Sequence, residues 1–143
     1  MPILNYTTDV SVEKTMGEVI GALTRRGVTR ISTLFGDDGS PAGIAFTMKT
    51  DYGIREFELP VKVAGVLKAM EADRAVPRSK VNQKQAAKVA WRIAKVWLEA
   101  QSALIDAELA SLDEVMLPYM VTNAKGDTVY SMIRAQGLKE LEQ

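Results

Sequence analysis

Lys84, Lys88, Arg92 and Lys95 stand at spacings of four, four and three residues, which places four cations on one face of any helix they share. At ~100° per residue, Trp91 falls at the border of that face, beside Lys84, Lys88 and Lys95. Cations in a row hold phosphates, and an indole beside them stacks a base, so the pattern suits a nucleotide or a single nucleic-acid strand. Arg78 and Lys80, just ahead of the helix, would close over the same phosphates. The residues also admit a structural reading: a solvated face whose charges meet Glu or Asp from elsewhere, with Trp91 packed in the core.

The surrounding charge pattern sharpens the question. Seven basic residues and no acidic one lie between Arg74 and Leu98, whereas Glu99 to Glu114 holds five acidic residues and no basic one. A helix is already positive at its amino end, so cations placed there cost ~0.3–1 kcal/mol each. An anion at that end would offset the cost. The spacing predicts a non-enzymatic protein that sequesters a small phosphorylated or nucleotide ligand. The alternative is a single-strand nucleic-acid binding accessory factor using the same stripe.

The chain contains neither His nor Cys. Their absence removes the commonest general base, the thiol nucleophile, iron–sulfur ligation and the usual zinc ligands. Carboxylate, Lys, Tyr or magnesium-assisted chemistry remains. A magnesium-dependent phosphodiesterase would need Asp37, Asp38 or Asp113 beside the basic stripe, and Asp113 and Glu114, with Asp106, offer a second acidic site. As turn formers and helix-surface acids they need no such role, and the expectation is no enzyme, no cofactor and no metal. No glycine spacing matches a phosphate-binding loop or a dinucleotide fingerprint.

The elements that must position these residues follow from periodicity. The 143 residues fit one domain spanning 1–143, and 18 basic residues balance 18 acidic ones. Anion binding would therefore come from a local patch. No apolar run approaches a membrane span and no secretory pattern opens the chain, so a place in the cytoplasm of the bacterial host is expected. Residues 3–8 read as a strand. Ser11 caps a helix over 12–26, and strands follow at 30–35, 42–49 and 54–61. A short helix over 63–72 is broken by Pro77, and Asn82 caps a long helix over 83–112. After the bend at Leu117-Pro118-Tyr119, Asp127 caps a last helix over 128–136, which Gly137 stops; residues 139–143 fray. The class is α+β: a small antiparallel sheet of three to four strands packed on a long helix plus shorter helices.

Along the long helix, Val89, Ile93, Val96, Ala100 and Leu104 form one apolar face, which Trp97 and Ala90 extend. Ala87, Ala94, Leu98, Ile105 and Leu109 carry it past half the circumference, more than one sheet face covers. The excess predicts burial on two sides, against the sheet and against another helix or another subunit, and hence a homo-oligomer. The broad apolar face would equally dock a foreign protein. Tyr119 is a ligand candidate if its hydroxyl faces a cavity.

Asn5-Tyr6-Thr7-Thr8, Val76-Pro77-Arg78, Ala90-Trp91-Arg92-Ile93, Lys95, Trp97, Glu99-Ala100-Gln101 and Leu117-Pro118-Tyr119 resemble a family of short phage and prophage proteins. The resemblance spans nearly the whole chain and brings no catalytic motif. It implies a phage setting. By analogy of size and charge, it suggests the sponges that sequester nucleotide signals of host defence, or accessory factors of recombination and replication.

Overall fold

A computed structural model describes residues 3–137. The elements run α1 (Val12–Thr24), β1 (Thr29–Phe35), β2 (Pro41–Thr50), β3 (Gly53–Pro60), α2 (Val63–Ala72), α3 (Gln83–Asp106), α4 (Leu112–Val115) and α5 (Val129–Gln136). One-turn 3₁₀ segments at Arg78–Lys80 and Leu117–Tyr119 join the later helices. The three strands form an antiparallel meander in the order β1-β2-β3. The architecture is α+β: a three-stranded sheet and, among the described residues, five helices, of which α3 is the longest.

Register follows from alternation. Ile31 lies opposite Phe46, which lies opposite Phe57; Thr33, Ile44 and Leu59 align likewise. This puts Ile44, Phe46, Met48, Phe57 and Leu59 on one face, all buried. Phe46 and Phe57 stack with ring centroids 5.4 Å apart. The β1–β2 turn closes through Gly36 N–H to the Ser40 carbonyl at 2.9 Å, with Gly39 at φ +80°. At Gly43 a side chain would meet the Leu59 carbonyl oxygen at 2.6 Å, so only glycine permits this approach of β3 to β2.

Helices α1, α3, α4 and α5 begin on a short polar side chain, whereas α2 follows Lys62 without a side-chain cap. Ser11 Oγ accepts from the Lys14 N–H, and Asn82 Oδ1 accepts from the Gln85 N–H at 2.8 Å. Helix α3 packs against both α1 and α2. The larger core joins α1, the sheet, α3 and α4 around Leu23, Phe57, Trp91 and Met116. A smaller one joins α2 to the amino half of α3 through Met70, Val76, Ala86 and Val89.

Four expectations are corrected. Residues 3–8 form turns rather than a strand, with Asn5 at φ 65°. Two of their carbonyls go to a side chain: buried Gln85 donates through Nε2 to Tyr6 O and Thr8 O, both at 2.9 Å. Helix α1 ends at Thr24, two residues early. Helix α3 stops at Asp106, where Glu108 takes φ 60° and Ser111 caps the separate helix α4. The last helix is capped by Thr128 in a reciprocal box with Ser131, not by Asp127. Residues 139–143 lie outside the described residues.

Candidate functional site

The cationic stripe forms, but the protein's own carboxylates occupy its second half. Arg92 donates to Glu18 at 2.7 Å and to the Thr15 hydroxyl at 3.2 Å. Lys95 meets Glu18 at 3.5 Å and Glu99 at 2.5 Å. The Arg92 guanidinium, by its hydrogen bond, holds the Glu18 carboxyl below the usual range, against the opposing effect of burial. Farther along, Arg26, in the turn after α1, pairs with Asp106 at 2.8 Å and donates to the Ser102 carbonyl, so α1 and the turn that follows it are each tied to α3 by charge.

Trp91 does not border a surface. It is fully buried, with its indole N–H 3.4 Å from the Pro41 carbonyl. A buried ring cannot stack a ligand base, so the expected role of Trp91 is withdrawn. The anion anticipated at the amino end of α3 also has a resident. Asp38, from the β1–β2 turn, accepts from the Gln83 side chain at 3.2 Å. The Ser40 hydroxyl, at 2.6 Å, is the main cause of its lowered pKa.

Arg78, Lys80, Lys84 and Lys88 remain. Among the described residues none of the four makes an ion pair. Arg78 and Lys84 are exposed, whereas Lys80 and Lys88 are half-buried. They belong to the Arg78–Lys80 turn and the first two turns of α3, and the sequence between Arg78 and Lys88 holds no aromatic residue. The acids considered for magnesium are dispersed: Asp38 serves the turn, and Asp113 accepts from the Tyr52 hydroxyl at 3.3 Å. Among the described residues no three acidic side chains form a metal-holding group.

A second location is better shaped for a ligand. Between β3, α2, α3, the Leu117–Tyr119 turn and α5 lies a groove of about 970 Å³. Val66, Ile93, Ala94 and Trp97 supply apolar wall. Trp97 meets Tyr119 edge-to-face, with ring centroids 6.1 Å apart and planes at 85°. Lys62 and Arg134 bring cations to the lining, Glu58 an anion, and Thr128, Ser131 and Tyr130 hydroxyls. Tyr119, alone of the expected ligand residues, lines this groove.

Local structure explains why these groups converge. Pro118 forces the bend that presents Tyr119 to α3, and Met120 then bridges to Phe57 at the edge of β3. The Val121 N–H donates to the Glu56 carbonyl at 2.8 Å, anchoring the segment that leads to α5. Lys62, at the start of α2, and Thr128, Ser131 and Arg134, of α5 and its cap, escaped sequence reasoning because they lie far along the chain from Trp97 and from one another's elements. Trp97 was legible as excess apolar character on α3. No protein family, curated protein or solved structure that was compared matches the chain.

Proposed function

We propose that the protein is a non-enzymatic binding protein that holds a small phosphorylated ligand with an aromatic body, of the nucleotide class, in the Trp97–Tyr119 groove. The observation that carries this reading is the pairing of an aromatic wall with two cations, Lys62 and Arg134, in one groove of about 970 Å³. Ligand sites are concave and mostly apolar, with a few polar groups that fix orientation, and this volume lies within their usual span. The lack of His and Cys favours holding a ligand over transforming it. In the phage setting that the sequence resemblance implies, such a protein would act by withholding a nucleotide signal from its host receptor.

Titration with a panel of nucleoside mono-, di- and cyclic phosphates tests the reading through indole fluorescence. The chain has two tryptophans, and only Trp97 lines the groove. A saturable change that disappears in Trp97→Phe, with Lys62→Glu and Arg134→Glu each weakening affinity about tenfold, is the expected outcome. A saturable change surviving all three substitutions would overturn the placement. Chromatography of the released ligand should return it unchanged, and steady turnover would contradict the non-enzymatic reading.

The four cations without ion pairs favour a second reading, a single nucleic-acid strand crossing the basic end. Strand affinity would fall steeply with salt and depend on Arg78, Lys80, Lys84 and Lys88. A ligand in the groove would be insensitive to those four residues.

A further inference from the structure

Among the described residues, Glu58 is the one acidic side chain that lines the Trp97–Tyr119 groove. Phosphate binding by Lys62 and Arg134 leaves it without a task, since a carboxylate repels a phosphate. Glu58 stands on β3 opposite Ala45, and Lys62 follows past the end of the strand. The two make no ion pair, and among the described residues Glu58 makes none with any cation. It is half-buried, with Oε1 3.9 Å from where a side chain on Gly126 would begin, in the turn ahead of α5. The Thr128 and Ser131 hydroxyls of the same groove do not serve it, because each donates its proton within the α5 cap: Thr128 to Ser131 Oγ, and Ser131 to the Thr128 carbonyl. A half-buried carboxylate between aromatic and apolar walls is matched by donors on whatever fills the groove.

We propose that Glu58 makes the groove selective for guanine nucleotides, its two carboxylate oxygens accepting the ring N–H and the exocyclic amino group of the base. This selectivity rests on the ligand reading of the groove and adds the identity of the base. The chemistry of the bases selects guanine. An ionised carboxylate only accepts hydrogen bonds. Guanine alone presents two adjacent donors on its pairing edge. Adenine and cytosine each set an amino group beside a ring nitrogen that accepts, and uracil sets a lone N–H between two carbonyls. Against those edges a carboxylate gains one hydrogen bond and turns its other oxygen toward a lone pair. Against guanine it gains two parallel, charge-assisted bonds, the arrangement that discriminates most strongly between bases. Lys62 and Arg134 then remain for the phosphate, and the Trp97–Tyr119 wall for the face of the ring.

Calorimetric titration of the full chain with guanosine, inosine and adenosine monophosphates tests this. Inosine keeps the ring N–H of guanine and lacks the amino group. Guanosine monophosphate should bind roughly ten- to a hundredfold more tightly than adenosine monophosphate, with inosine monophosphate between them. Glu58→Gln, whose amide brings a donor to the same place, should remove the preference for guanine and leave the affinity for adenosine monophosphate as it was. Equal affinities in the wild type, or a guanine preference that persists in folded Glu58→Gln, would overturn the selectivity and leave the groove standing as a nucleotide site. Binding of none of the three would overturn the groove reading itself, and the selectivity with it. The wild-type comparison of guanosine with inosine is independent of how any variant folds: equal affinity for these two overturns the proposal.

Discussion

Glu18 receives two cations of α3, Arg92 at 2.7 Å and Lys95 at 3.5 Å, from a position one turn into the middle of α1. Arg92 is the more deeply set, its side chain 18% exposed, so reversing it sets two carboxylates against each other where water screens them poorly. Arg92→Glu should lower the melting temperature by several degrees, whereas Lys88→Glu, which breaks no ion pair, should leave it nearly unchanged. Thermal melts of the two variants side by side check this. If the stripe served only a ligand, both would melt like the wild type. The same pairs set the response to acid. Arg92 depresses the pKa of Glu18, and Arg26 depresses that of Asp106, in each case chiefly through a hydrogen bond. A carboxylate with a lowered folded pKa contributes stability that is complete above its unfolded value and lost as pH falls through the folded one. Melting temperature should therefore fall below the ordinary carboxylate range, and Glu18→Gln should flatten that acid arm. An equally steep arm in Glu18→Gln would remove Glu18 from the account.

Two glycines at the element scale have opposite meanings. Gly17 lies inside α1, and a side chain there would meet nothing within 4 Å. Glycine in a helix interior costs ~0.5–1 kcal/mol relative to alanine through backbone entropy. Gly17→Ala should raise stability to denaturant by about that amount. Gly43, in β2, faces the Leu59 carbonyl oxygen at 2.6 Å and the Leu34 side chain at 3.2 Å. The first of these is backbone and cannot step aside without shifting the β2–β3 pairing. Gly43→Ala should cost ~1–3 kcal/mol, as overpacking does. Urea unfolding of both variants gives the comparison, and a destabilised Gly17→Ala would mean that another surface closes on α1.

At the scale of the whole molecule, long-range polar contacts hold the amino-terminal segment to the body. Gln85, 8% exposed, donates through Nε2 to the Tyr6 and Thr8 carbonyls. These contacts cross 79 and 77 residues of chain and seat Ile3 and Tyr6 beside the α2–α3 core. Removing the amide leaves two acceptors short of a partner, which costs ~1–3 kcal/mol where they are buried. Gln85→Ala should lower stability by that order and increase hydrogen exchange in residues 3–10 more than in the sheet. Uniform loss of protection across the chain would instead mark Gln85 as part of the global core. Among the described residues no helix is long and apolar enough to cross a membrane.

The sequence by itself determined what depends on neighbours in the chain. Alternation of Ile44, Phe46 and Met48 specified the buried face of β2. Ser11 and Asn82 marked two helix starts, and Pro77 the break before α3, because capping and steric exclusion act over three or four residues. The same local signals misplaced the end of α3. Nothing between Asp106 and Ser111 forbids a helix, and Glu108 enters the left-handed region as the chain turns toward α4. Only tertiary structure decided which side chains meet. The four-residue spacing put Arg92 and Lys95 on one face but could not show that Glu18 waits opposite. Nor could helical periodicity separate a Trp bordering a surface from one inside a core: Trp91 and Trp97 both belong to the apolar arc of α3. The sheet covers Trp91, and the turn at Tyr119 leaves Trp97 in a groove, because burial is set by elements that arrive from elsewhere in the chain.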